Sequence, residues 1–420
     1  MMRFMLAGVS SGCGKTTATL AMLAALKDRG LRVAPFKSGP DYIDPGFHRA
    51  ACSRVSHNLD EWLCSPDAVK RILKTGSADA DLAVIEGAMG MYDGVGGGSR
   101  CSAYSLAKHT GTPVILVVDA AGSAASAAAT ALGFLKYRED SGIAGVFVNR
   151  ASGERHYALV KEAVADIGLP CVGWMPKDRE LHMPDRHLGL VPVEERPDVE
   201  AQIARAAGQI RIDTEALTAI ARAAAPIDVP PMDFPPLFKG RRIALAKDAA
   251  FTFTYEANLI ALRAMGAELI AFSPLTDRAL PEAIDALYLP GGFPEVFEDA
   301  LRANGPMVQS VKNAVASGLK VYAECGGMLY LSMIGAIPVK WRMTERLQRF
   351  GYVTVTDGDG YCFPAHEFHH SVTESALPRR FTVEKRGDRY PEGYVYKNTL
   401  AGYPHIHFYE RPELAERLFL

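Results

Sequence analysis

Residues 8–17 read GVSSGCGKTT. The common phosphate-binding loop places four residues between a glycine and Gly-Lys-Thr. Counting back from Gly14-Lys15-Thr16 puts Val9 at that position and leaves Gly8 one residue early. The surroundings are nevertheless those of a phosphate cradle. The apolar run MMRFMLAG precedes the loop, and TTATLAMLAALKDRG (16–30) follows it with helical spacing and a glycine stop, so the loop joins a strand to a helix. Gly12 and Gly14 would let backbone N–H groups approach the phosphates, and the helix would add its positive end. Lys15 would reach the outer phosphates, Thr16 would offer its hydroxyl to Mg²⁺, and Thr17 would complete the ATP contacts. A chance Gly-Lys-Thr at a strand–helix turn is the competing reading.

Outward from the loop, the 420 residues are too many for one ordinary core and imply two domains or three. The 48% apolar and 22% charged content is that of a globular protein, and a net charge of −2 gives no basic field to attract nucleic acid. MMRFMLAG reads as a buried first strand and not as a signal peptide. The most apolar stretch, TPVILVVDAAGSAASAAATAL (112–132), is broken by Asp119 and a Gly-Ser turn, so no membrane span is expected. Seven cysteines (13, 52, 64, 101, 171, 325, 362) form no Cys-x-x-Cys pair. They read as reduced thiols of a cytoplasmic protein, without a zinc or iron–sulfur site.

The stretch APIDVPPMDFPPLFKGRR (225–242) carries five prolines, and no helix can cross it. It sets expected domains at 1–224 and 241–420, with a linker at 225–240. Strands are expected at 3–7, 32–36, 82–86, 113–118, 144–148 and 170–173, alternating with helices. Short, continuously apolar strands in that alternation imply a parallel sheet covered on both faces. After the linker, strands at 242–246, 268–272, 286–292 and 320–325 alternate with helices at 255–265 and up to 317. The last hundred residues look β-rich and antiparallel. Two α/β domains in tandem is the expected architecture.

Candidate site residues fall at strand ends, where open α/β sheets bind ligands. KSGPDYIDPGFH (37–48) offers Lys37, Asp41, Asp44 and His48. Glu86 ends the apolar run of VIEGAMGMYDGVGGGS (84–99), where an acidic Mg²⁺ partner stands in phosphate-loop enzymes, and Asp93 follows on a glycine-rich loop. Thr16, Glu86 and Asp41 are the expected metal contacts. Lys37 would join the ATP site, and Asn149 stands where it could read an adenine edge. Solvated loop charges, with Asp41 and Asp44 as turn caps, form the alternative.

In the second domain, VYAECGGMLYL (321–331) places Cys325 between a strand and a helix, in the form of a nucleophile elbow. Gly292 and Gly326 would supply oxyanion N–H groups, and the helix's positive end would favour a thiolate. HEFHHS (366–371) and HIHF (405–408) supply histidines. His405 and His407 are expected to face opposite ways, so only one would point at the thiol. His405 is the expected base and His407 the second choice. Glu324 should point away from Cys325, leaving the pair without an acidic third member.

With five residues between glycine and Gly-Lys-Thr, the loop resembles that of the dethiobiotin synthetase group of ATPases. KSGPDYIDPGFH, EGAMGMYDG (86–94) and PDRHLGL (184–190) together resemble the cobyrinic acid a,c-diamide synthase family, and AFTFTYEANL (250–259) and YLPGGFPE (288–295) carry the likeness past the linker. The resemblance implies an N-terminal dethiobiotin-synthetase-like ATPase domain and a C-terminal class I-like glutamine amidotransferase domain. It implies ATP and Mg²⁺ as cofactors, with glutamine and a tetrapyrrole polycarboxylate as partners. The implied reaction amidates the a and c carboxylates of cobyrinate through an acyl phosphate. Asp41, Asp44, His48, Asp93 and His187 would line the tetrapyrrole site, Cys325 would attack glutamine, and His405 would be its base. Nickel-sirohydrochlorin or sirohaem amidation is the nearest rival. A phosphate-loop switch ATPase has no use for the Cys325 domain. Nothing in the sequence opposes a homodimer.

Overall fold

The computed structural model describes residues 1–181, 185, 186 and 189–420. Its contacts divide the chain into two units, Met1–Pro231 and Met232–Leu420. Among the described residues, no helix is long and apolar enough to cross a membrane.

Unit 1 is built on seven parallel strands: β1 (Met2–Gly8), β2 (Val33–Ser38), β3 (His57–Leu59), β4 (Leu82–Gly90), β5 (Val114–Asp119), β6 (Ile143–Ala151) and β7 (Cys171–Pro176). Their order is β7-β6-β5-β1-β4-β2-β3, and Arg211–Ile212 adds an antiparallel edge beside β7. The apolar runs that predicted the strands are buried on both faces, as Phe4, Met5, Leu6, Val84 and Ile85 show. Arg3 is the exception inside β1. It is 1% exposed, donates to Thr112 Oγ1 at 2.9 Å and Thr110 O at 2.6 Å, and burial lowers its pKa to about 10.

Because β1 lies between β5 and β4, the chain leaves it at a crevice where successive connections run to opposite sides of the sheet. The register then fixes the site. Leu6 pairs with Glu86, and Glu86 pairs with Lys37, so these residues form one row across three neighbouring strands near their carboxyl ends. Helix α1 (Lys15–Asp28) starts above that row, and α2 (Asp44–Cys52) starts beside it. Neither β3 nor α2 is among the expected elements, since three residues and nine residues carry too little periodicity to register.

Unit 2 has a ten-stranded mixed sheet. Its first half runs Glu268–Phe272, Arg242–Ala246, Ala286–Leu289, Lys320–Glu324 and Thr399–Gly402, all parallel. Its second half, Asp388–Tyr396, Arg379–Lys385, Arg349–Asp357, Cys362–His369 and His405–Ile406, is antiparallel. Helix Gly326–Met333 is apolar all round and packs into a core with Leu287, Val321 and Ala323, so the residue that precedes it is held rigidly.

Candidate active sites

The early glycine of the phosphate loop has a steric reason. A Cβ on Gly8 would lie 2.5 Å from Cys13 Sγ and 2.8 Å from Lys15 Cδ, so the folded-back loop and the lysine stem need that space. Lys15 is buried, its Nζ is 3.3 Å from Ser10 O, and burial lowers its pKa. Gly12 (φ 75°) and Gly14 (φ 87°) take the left-handed conformation glycine allows. Thr17 follows, half-buried, in the first turn of α1.

Asn149, expected at an adenine edge, is held against the phosphate loop. Its Nδ2 donates to Cys13 O at 2.9 Å and the residue is buried, because β6 ends directly against the loop.

Beside the loop, six side chains share one largely buried network. Thr16 Oγ1 donates to Glu86 Oε1 at 2.6 Å, and Lys37 Nζ donates to the same oxygen at 3.0 Å. His48 Nε2 meets Glu86 Oε2 at 2.8 Å, while its Nδ1 meets Ser56 Oγ at 2.9 Å. Lys37 also bonds Asp44, and Asp41 Oδ2 stands 4.0 Å away. Burial alone would raise the Glu86 pKa, but Lys37, His48 and Thr16 outweigh it and hold the carboxylate well below its usual range. Burial likewise opposes the charge on Lys37, yet Asp44 and Glu86 keep it firmly protonated. One ammonium cannot neutralise three carboxylates. Asp44 is the group left over, its pKa raised by burial and by Asp41 in spite of Lys37.

The residues expected to line the substrate site fall in different settings. His48 is fully buried and braces Glu86 instead of lining a surface. Asp41 uses Oδ1 to accept from Ile43 N at 2.8 Å and Asp44 N at 3.1 Å, so it caps the turn into α2. Asp93 is exposed and braces its own loop by accepting from Gly90 N at 3.0 Å. His187 lies outside the described residues. These placements separate the two aspartates. Asp41→Asn should change ammonia-supported synthesis less than about threefold, because Asn caps as well as Asp. Asp44→Asn should lower it about a hundredfold, because Asn cannot keep the ion pair that positions the Lys37 ammonium and leaves Glu86, with the more distant Asp41, to hold it. Steady-state rates at saturating ammonia check this, and equal effects would refute the separation.

In unit 2 Cys325 takes φ 44°, ψ −103°, a conformation that costs an L-residue roughly 1–3 kcal/mol. Its N–H donates to Gly402 O at 2.7 Å. A Cβ on Gly326 would lie 2.9 Å from Gly292 N, and one on Gly292 would lie 2.1 Å from Ala250 O. The two expected oxyanion glycines therefore stand side by side, where no side chain fits. The thiol departs from expectation. Burial raises its pKa well above the usual thiol value, Glu295, Glu324 and Glu367 add to the rise, and the Gly326 N–H offsets only part.

His405 and His407 occupy different surroundings, but the expected reason is wrong. Residues two apart in a strand face the same way. They part because the strand ends at Ile406. His405 pairs across the sheet with His366, and its Nδ1 stands 3.5 Å from Glu324 Oε2, both side chains 2% exposed. His407 packs its ring 5.0 Å from that of Tyr255, and burial lowers its pKa to about 3. Glu324 is a second correction. It reaches His405 and accepts at 2.6 Å from Oη of Tyr322, its neighbour two residues back on the same strand. Sequence reasoning also missed Ser56 behind His48 and Arg150 behind the loop, since neither belongs to a motif.

A phosphate-loop sheet and a separate cysteine-elbow sheet in one chain define a two-domain ATP-linked amidotransferase class. Residues 4–191 match the family model of the CobQ/CobB/MinD/ParA nucleotide binding domain, and residues 242–413 that of the CobB/CobQ-like glutamine amidotransferase domain. The chain is 42% identical to the cobyrinate a,c-diamide synthase of Listeria monocytogenes, covering 100% of this chain and 99% of that relative. It is 40% identical to the cobyrinate a,c-diamide synthase of Caldanaerobacter subterraneus (99% and 97%) and 39% identical to the hydrogenobyrinate a,c-diamide synthase of Streptomyces coelicolor (99% and 96%). The chain belongs to the cobyrinate a,c-diamide synthase family.

Proposed function

We propose that this chain amidates the a and c side-chain carboxylates of cobyrinate, using ATP to activate each carboxylate and glutamine as the nitrogen source. The observation that carries the reading is the pairing, in one chain, of the Thr16–Glu86–Lys37–Asp44 network beside a phosphate loop with Cys325 on a glycine-flanked elbow. Neither half makes an amide alone. A carboxylate must be activated before ammonia can displace oxygen from it, and ammonia must be released where water does not take its place.

In unit 1, Lys15 would neutralise charge that builds on the phosphates as the γ-phosphoryl group leaves ADP. The substrate carboxylate oxygen forms a bond to phosphorus as the bond to ADP breaks, giving an acyl phosphate. Ammonia then adds to the acyl carbon, and inorganic phosphate departs. Thr16 and Glu86 present hard oxygen donors, which suit Mg²⁺. Bound there, Mg²⁺ would supply charge neutralisation on the phosphates. Lys37 and His48 would hold Glu86 ionised and oriented for that role, with Ser56 fixing the His48 ring.

In unit 2, Cys325 Sγ attacks the glutamine amide carbon while His405 takes the thiol proton and passes it to the departing ammonia. Gly292 and Gly326 N–H groups stabilise the oxyanion, and water releases glutamate from the thioester. A buried thiol whose pKa is raised needs such a base, and Glu324 beside Nδ1 would stabilise the imidazolium. Glu324→Gln should therefore lower kcat with glutamine by about ten- to a hundredfold, with little change in KM and none in the ammonia-supported rate. An unaltered kcat would remove Glu324 from the site's chemistry. The seven free cysteines suit work in the cytoplasm.

The Streptomyces coelicolor relative's name favours a second reading, a metal-free ring as substrate. One experiment tests both. The protein is incubated with ATP, Mg²⁺, glutamine and, separately, cobyrinate, hydrogenobyrinate, nickel-sirohydrochlorin or sirohaem, and the products are weighed by mass spectrometry. Two successive replacements of OH by NH₂ on cobyrinate are expected. The absence of any amidated ring would overturn the proposal.

A further inference from the structure

Two consecutive side chains at the end of β6 grip the phosphate loop. Asn149 Nδ2 donates to Cys13 O at 2.9 Å, and Arg150 Nη2 donates to Gly12 O at 3.0 Å. In an extended strand, neighbours point to opposite faces. They converge here because Arg150 has φ 57°, a left-handed conformation that is unfavourable for an L-residue. The guanidinium is itself anchored. Its Nη1 donates to Asp119 Oδ2 at 2.6 Å, and Asp119 Oδ1 accepts from Ala121 N at 2.9 Å. Asp119 and Asn149 are register partners on β5 and β6, so the anchor is part of the sheet.

Among the described residues every peptide bond is trans. In a trans peptide the carbonyl of one residue points opposite to the N–H of the next. Holding Gly12 O and Cys13 O toward β6 therefore turns the N–H groups of Cys13 and Gly14 the other way. Such N–H groups are what a phosphate loop offers to anionic oxygens. From this geometry, and resting on the ATP reading of the loop given above, we propose that Arg150 is a positioning residue. Acting with Asn149, it locks the loop's amides in the orientation that receives the nucleotide phosphates. The strained backbone at Arg150 is what lets it reach.

The test compares Arg150→Ala, Arg150→Gly and Arg150→Lys in the full chain, with a fluorescent ATP analogue plus Mg²⁺ as probe and thermal unfolding as a second readout. Ala and Gly should each weaken nucleotide binding about tenfold or more, as expected for losing a charge-assisted hydrogen bond that orders the site. Lys, which keeps one cationic donor, should recover part of the loss. Gly relieves the left-handed strain and should melt higher than Ala without regaining affinity. Affinity at the wild-type level in Arg150→Ala would overturn the proposal. So would affinity restored by Gly together with stability, since Arg150 would then be merely structural. Failure of the wild-type chain itself to bind the probe would overturn the ATP reading and this proposal with it, a result distinct from either.

Discussion

Replacing Cys325 by Ala or Ser should lower glutamine-dependent amidation about a thousandfold or more, because no other group can form the thioester. Amidation supported by high free ammonia should continue. The thiol serves only ammonia release, whereas carboxylate activation is assigned to Lys15 and Glu86 in the other unit. His405→Ala should reproduce this selective loss. His407→Ala should not, since His407 packs against Tyr255 while His405 stands beside Glu324. The checks are initial rates with each nitrogen source and circular dichroism to establish the fold. A correctly folded Cys325 variant that loses both activities would falsify the two-site assignment.

Lys15→Ala and Glu86→Gln should have the opposite pattern, with synthesis from glutamine and from ammonia lowered roughly a hundredfold or more. Basal glutamine hydrolysis should persist. Lys15 would act on charge that migrates during phosphoryl transfer, so its loss is felt mainly in turnover. Glu86→Gln strikes deeper than one contact. Gln offers one carbonyl oxygen in place of a carboxylate that now accepts from Thr16 and Lys37 and also meets His48. The Lys37 charge would then have only Asp44 and the more distant Asp41 to balance it. Single-turnover measurement with ammonia isolates this step. A Lys15 variant with a near-normal rate would contradict the phosphate-cradle assignment.

The parallel sheets were legible because their strands are short apolar runs between punctuating glycines, and the elbow because Cys-Gly-Gly follows such a run. Motif residues lie on local stretches, so Lys15, Thr16, Lys37, Glu86 and Cys325 could be named from sequence. What each touches depends on strand order and register, which local patterns do not carry. Leu6, Glu86 and Lys37 become one row only once β4 lies between β1 and β2. For that reason the brace that His48 gives Glu86 and the bond from Asn149 to Cys13 O were not legible in the sequence. Glu324 was misplaced for a different reason. Its side chain stays on the strand face of Tyr322, and that face meets His405, which is eighty-one residues away in sequence.

Gly14 and Asn149 also limit how this sequence can change over evolutionary time. A Cβ on residue 14 would sit 2.0 Å from Asn149 Nδ2, so any larger residue there demands a smaller one at 149. Shrinking 149 does not suffice, because residue 14 has φ 87° and would remain strained with any side chain. The two positions are therefore coupled in one direction only. A smaller residue at 149 gives up the bond to Cys13 O but imposes no clash on Gly14. A lineage has no single-step or two-step route away from glycine at 14 that leaves this backbone in place, so descendants that abandon ATP should lose Asn149 first and Gly14 last.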